Sequence, residues 1–179
     1  MLIDQSSLGE FTRQKVGAFD YRKRLLEARN IRPERATVTV FLSHSHSDRK
    51  YIQDVIILLN SHGIIIYVDW IDDSLPAITS GETARKLKRR VKQCNKFVFL
   101  ATNSSVESKW CNWELGIGDG EKFPDHIALF PLSDSGVFKG KEYFEIYPRI
   151  EKTSVYGTDL VLKYPDGREI PLDRWLFRN

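Results

Sequence analysis

The sequence predicts an α/β fold in which a doubly wound parallel sheet is covered by helices on both faces. Three observations carry that expectation. Short β-branched or aromatic runs recur at residues 37–42, 64–68, 96–101 and 127–130. Stretches with apolar side chains at helical spacing separate them. The runs IIIYV and KFVFLA are almost continuously apolar, as strands buried on both faces are, and do not alternate. Strands that alternate with helices make a parallel sheet.

The elements follow in chain order. Residues 1–35 read as an N-terminal extension, with a basic helix expected from Phe11 to Arg29 and Pro33 marking its end. TVTVFL (37–42) is the first strand of the main domain, which spans residues 36–132. SHSHSD follows as a loop, with Asp48 a plausible N-cap of a helix running to about His62. That helix turns Ile52, Val55, Ile56 and Leu59 to its apolar side, and Gly63 is its C-cap. IIIYV (64–68) is the second strand. A loop from Trp70 to Ser80 leads to a helix with a stripe of Ala84, Leu87, Val91 and Cys94. KFVFLA (96–101) is the third strand, a helix starting near Val106 comes next, and IALF (127–130) is a fourth strand closed by Pro131. Residues 133–179 form a C-terminal elaboration. A Pro-Asp-Gly turn at 165–167 predicts a β-hairpin over about 155–172, followed by a closing segment around Trp175.

Charge and composition narrow the function. Of 27 basic and 24 acidic residues, 8 and 5 fall in residues 1–35, so residues 36–179 carry 19 of each. A neutral main domain argues against tracking a nucleic-acid backbone. The cations Arg85, Lys86, Lys88, Arg89, Arg90 and Lys92 lie opposite an apolar stripe and read as a solvated outer face. No run is long enough to span a bilayer, and the N-terminus lacks the features of a secretory signal. Cys94 and Cys111 lack metal-ligand or framework spacing, which points to a reducing, cytoplasmic setting. A zinc site from His44 and His46 would need further ligands at workable spacing, and His62 and His126 are scattered, so no metal is expected.

In such a sheet, ligands bind beyond the carboxyl ends of the strands, where strand order reverses; in the flavodoxin-like order that is between strands one and three. Ser43, His44, Ser45 and His46 follow strand one, Asp69 and Trp70 follow strand two, and Thr102 and Asn103 follow strand three. The next helix carries Trp110 and Glu114, four residues apart and so on one face. An aromatic plane beside a carboxylate suits a planar base attached to a sugar. The plainer alternative has Trp110 packing in the core and Glu114 on a solvated face. A receiver-type acid cluster, a glycine-containing phosphate loop and a Gly-x-Gly-x-x-Gly fingerprint are all absent after strand one. Trp113 reads as core, Glu82 as a helix-dipole partner, and Glu107 and Asp119 as surface residues.

Four ordered segments, VFLSHSHSD (40–48), YVDWIDDSLPAITSGETA (67–84), KFVFLAT (96–102) and SKWCNWELGIGDG (108–120), resemble the Toll/interleukin-1 receptor (TIR) domains, above all bacterial ones. The resemblance covers about residues 37–132, and KGKEYFEIYP (139–148) is similar to the tail of the same subgroup. It implies the TIR fold and an NAD+ nucleosidase or ADP-ribosyl cyclase-type hydrolase. Such an enzyme breaks the nicotinamide–ribose bond, with Glu114 as the catalytic residue of a W-x-x-x-E helix and Trp110 stacking at the nicotinamide end. Ser43, His44, Ser45, His46, Asp69 and Trp70 would line the substrate pocket, although some relatives place arginines after strand one. NAD is then the substrate and no cofactor is implied. Water as acceptor gives ADP-ribose, the substrate's adenine a cyclic isomer, and an outside nucleophile a conjugate. The resemblance further implies homo-oligomers through TIR–TIR contacts and a nucleotide signal to a separate effector, as in Thoeris anti-phage defence. The alternative is a non-catalytic TIR scaffold whose 70–81 loop (Ile71, Leu75, Pro76, Ile78) docks on other TIR domains.

Overall fold

The computed structural model describes residues 1–17, 38–68, 80–122, 124–140, 142–153 and 159–178. The elements that build the sheet are β1 (Ile3–Asp4), β2 (Thr39–Ser43), β3 (Ile65–Tyr67), β4 (Lys96–Ala101), β5 (Ile127–Ser133), β6 (Arg149–Lys152), β7 (Leu160–Lys163) and β8 (Glu169–Pro171). Helices α1 (Leu8–Val16), α2 (Arg49–Asn60), α3 (Gly81–Gln93), α4 (Asn103–Glu107), α5 (Lys109–Lys122) and α6 (Leu172–Leu176) cover it.

Strand order is β3-β2-β4-β5-β6-β7-β8, with β1 paired to β5. The first five strands of this path are parallel, and β6, β7 and β8 are antiparallel. Counted from β2, the parallel part has the flavodoxin-like order, and its direction reverses between β2 and β4. Two apolar layers sandwich the sheet. One joins Val40, Leu42, Val98, Leu100, Ala128 and Phe130 to the α2 residues Ile52, Val55 and Leu59. The other joins Phe41, Phe97, Phe99 and Leu129 to Leu87 and Val91 of α3 and Cys111 and Leu115 of α5. Successive β4 residues alternate between the layers, which is why this strand reads as one apolar run.

Several boundaries differ from the sequence expectation. The N-terminal helix starts at Leu8 rather than Phe11, packs on α2, and follows a strand that had not been expected; residues 18–37 lie outside the described residues. Residues 65–67 are half-buried, not buried on both faces, because β3 is the sheet edge; only Ile64 and Val68 beside them are buried. Pro131 does not close β5, which runs on to Ser133. Backbone groups alternate sides along a strand. Leu129 donates to Pro148 O and Ser133 O accepts from Gln5 N, so Pro131 faces that same edge at the changeover from β6 to β1, where its missing donor breaks no ladder bond. β6 is a fifth parallel strand that was not foreseen. The hairpin is β7–β8, with Gly167 at φ 87° in its turn. The closing segment is α6, whose Trp175 is buried and donates from its indole to Asp125 O at 2.7 Å. No helix among the described residues is long and apolar enough to cross a membrane.

Candidate functional site

The helix expected from Val106 is two helices. Thr102 and Ser105 form a reciprocal capping box at the start of α4, and Ser105 Oγ also donates to Leu100 O at 2.6 Å. Ser108 then leaves the helical conformation, at φ −78° and ψ 117°, its Oγ accepts from Cys111 N at 3.3 Å, and the chain restarts as α5 at Lys109. Trp110 and Glu114 therefore share α5, four residues apart, as their spacing predicts.

Glu114 turns inward. It is 3% exposed, and its Oε2 accepts a 2.5 Å hydrogen bond from Ser43 Oγ at the carboxyl end of β2. Ser43 is itself buried and lies in register with Phe99 of β4. The acid thus sits at the strand-order reversal, not on a solvated face. Trp110 is half-buried against the layer containing Phe41 and Phe97, and its ring lies 5.0 Å from that of Trp113 at 37°. Trp113 corrects its expected core position: it is 38% exposed.

The loop after β2 is ordered by its own side chains. His44 is buried, with Nδ1 3.3 Å from Leu42 O; Ser45 is half-buried; His46 is exposed and begins a single 3-10 turn, His46–Asp48. Asp48 does not cap α2 with its side chain. It completes a capping box with Ser45 and lies buried, its Oδ2 accepting from Ser45 N at 3.2 Å and from Thr102 Oγ1 at 2.8 Å. Burial raises its pKa, while the bonds from Thr102 and Ser45 oppose the rise. Neither Asp48 nor its link to Thr102 was expected as part of this region. Asp69, Trp70 and the apolar loop to residue 79 lie outside the described residues.

The structure therefore brings Ser43, His44, Ser45, Glu114 and Trp110 around one end of the sheet, with His46 at the solvent edge. Behind α5, Gly118 lets the helix approach the β4 ring of Phe97, where a Cβ would lie 3.1 Å from the ring carbons. On the outer side, a cleft of about 430 Å³ between α3 and α5 is lined by Lys88, Trp113, Gly116, Ile117, Gly120 and Glu121. The cations of α3 are partly paired, Lys86 with Glu82 at 3.0 Å and Lys92 with Glu121 at 2.6 Å. Glu107 and Asp119 are exposed, as expected. Among the described residues, no cluster of three or more His, Cys, Asp or Glu could hold a metal ion.

A buried carboxylate oriented by a hydroxyl, with a tryptophan one turn away, can stabilise a cationic sugar carbon and hold an aromatic leaving group. Comparison with known proteins bears on which reaction this serves. Residues 40–145 match the model of the family described as TIR domain. The chain is 34% identical over 148 residues to a protein of Bacillus cereus (strain MSX-D12) named probable 3' cyclic ADP-D-ribose synthase ThsB', covering 78% of this chain and 76% of that one. It is also 36% identical over 99 residues to a protein of Cytobacillus dafuensis named putative cyclic ADP-D-ribose synthase TIR2, covering 54% of this chain and 26% of that one.

Proposed function

The chain belongs to the TIR domain family, and on that premise we propose that it cleaves the nicotinamide–ribose bond of NAD and closes the ADP-ribosyl group into a cyclic ADP-ribose. The observation that carries the reading is Glu114, buried at the β2–β4 reversal and held by Ser43. The names of both relatives support the product class.

Ordinary glycosidases use two carboxyl groups, one of them to protonate a poor leaving group. Nicotinamide needs no such acid. The C1′–N bond breaks with its electron pair going to the ring nitrogen, so a pyridinium cation departs as a neutral molecule. The positive charge left on the ribosyl carbon is what the Glu114 carboxylate stabilises. Trp110 offers a face for the cationic ring before it leaves, a contact worth roughly 1–2 kcal/mol when desolvated. Capture by a nucleophile of the same dinucleotide gives the cyclic product; capture by water gives ADP-ribose. Ser43, His44, Ser45 and His46 form one wall of the pocket in this reading, and Asp69 and Trp70 another part of it.

Homo-oligomers through TIR–TIR contacts belong to the same proposal. The exposed Trp113, Tyr143 and Ile146 offer apolar side chains for such contacts. The cyclic nucleotide then acts as a signal to a separate effector in anti-phage defence. Incubating the purified protein with NAD, alone and at high concentration, and resolving products by chromatography and mass tests the chemistry. Nicotinamide and a cyclic ADP-ribose are expected from the native chain and neither from Glu114→Gln. Equal turnover by both would remove Glu114 from its role, and a folded, assembled protein inert toward NAD would leave the scaffold reading.

A further inference from the structure

Among the buried polar groups not used in the chemistry above, Asp48 has the most specific surroundings. Its neighbours come from both sides of the strand-order reversal. Ser45 N belongs to the loop leaving β2, and Thr102 Oγ1 to the turn leaving β4. Both bonds end on one atom, Oδ2, in a residue 2% exposed. Thr102 is in turn fixed on its other side, since its Oγ1 accepts from Ser105 N at 3.0 Å and its backbone N–H donates to Ser105 Oγ at 2.8 Å. Ser105 is anchored to the end of β4 through Leu100 O. The first of these two loops begins at Ser43, and the second leads through α4 into the helix of Glu114.

We propose that Asp48 is a positioning residue: through Thr102 it clamps the β2 exit to the β4 exit and so sets the spacing at which Ser43 meets Glu114. This rests on the reading of Glu114 as the catalytic carboxylate. The clamp needs one accepting oxygen, because Oδ2 takes both bonds. An asparagine whose amide oxygen takes that place keeps the clamp; an alanine destroys it. A displaced carboxylate affects the step in which charge develops on the ribosyl carbon more than it affects binding of the dinucleotide, so the loss falls on kcat.

The test is a set of steady-state measurements with NAD well below the melting temperature, on Asp48→Ala, Asp48→Asn, Thr102→Val, Thr102→Ser and the Asp48→Ala/Thr102→Val double variant. Asp48→Ala and Thr102→Val should each lower kcat about 10- to 100-fold, the scale of an ångström-sized misplacement, with KM within about threefold. The double variant should be no slower than the slower single, and the asparagine and serine variants should recover most of the rate. Alanine and valine variants that melt earlier yet keep kcat would show a purely structural role and overturn the proposal, as would fully additive losses. If the native chain leaves NAD untouched, the NAD reading fails, and amide exchange at residues 43–47 decides the clamp by itself. Faster exchange in Asp48→Ala supports the clamp, and unchanged exchange overturns it.

Discussion

Ser43 Oγ donates its hydrogen bond to Glu114 Oε2 across 2.5 Å, joining the end of β2 to the middle of α5 inside the protein. With its hydroxyl committed to the acid, Ser43 orients Glu114. A hydroxyl on a charged partner is worth roughly 1.5–3 kcal/mol. Ser43→Ala should therefore lower kcat by about 10- to 100-fold if the orientation is used in the transition state. Steady-state rates of the native chain and of Ser43→Ala with NAD check this.

Trp110 and Trp113 touch, but they face different surroundings, one half-buried and one 38% exposed. Losing a ring contact worth about 1–2 kcal/mol predicts roughly a tenfold rise in KM for Trp110→Ala. Trp110→Phe should recover part of it. Trp113→Ala should raise KM less, because its ring lies against Trp110 and lines the outer cleft. Initial rates across NAD concentrations separate the three variants.

The glycines of α5 predict opposite signs of stability change within one helix. A Cβ at Gly118 would lie 3.1 Å from the Phe97 ring, in a packed layer that cannot give way freely. Gly118→Ala should cost about 1–3 kcal/mol through overpacking. Gly116 and Gly120 have open space at that position, so alanine there should add about 0.5–1 kcal/mol from helix propensity. Urea unfolding of the three variants checks both signs.

Lys96 predicts a pH dependence. It is 2% exposed, its ammonium donates to Arg178 O at 2.8 Å, and it lies 3.2 Å from His126 Nδ1 and 5.3 Å from the Trp175 ring centre. Burial, followed by the Arg178 charge, lowers its pKa from 10.5 to about 8. Between those values the unfolded chain holds a proton that the folded chain has released, so this group adds stability as pH rises through the window. Below about pH 8 both states are charged and its contribution is flat at its least favourable value. Lys96→Met should remove that slope, as denaturant midpoints at about pH 7.5 and 9.5 would show.

Apolar and β-branched runs made β2, β3, β4 and β5 legible, and the spacing of Trp110 and Glu114 put them on one helix, as found. What the sequence hid has identifiable causes. β1 is two residues long, and β6 carries Arg149, Glu151 and Lys152 among its four residues, too polar and short to read as a strand. The break at Ser108 has neither glycine nor proline; Ser108 Oγ accepts from Cys111 N across it, and Asn112 Nδ2 donates to Val106 O. Asp48 looked like a local cap because it precedes a helix, while its decisive partner, Thr102, is 54 residues away. Trp113 shares a helix with buried neighbours, and only the tertiary placement of α3 and α5 decides that it stays open to solvent.

The pairing of β1 with β5 sets an order on biosynthesis. Ile3 and Asp4 leave the ribosome well before their partners, Leu132 and Ser133, which follow about 130 residues later. At roughly 5–20 residues per second, β1 waits many seconds without its strand neighbour. A strand made early is thus docked late. Slowing translation upstream of residue 132 lengthens the interval in which that segment is open to chaperones.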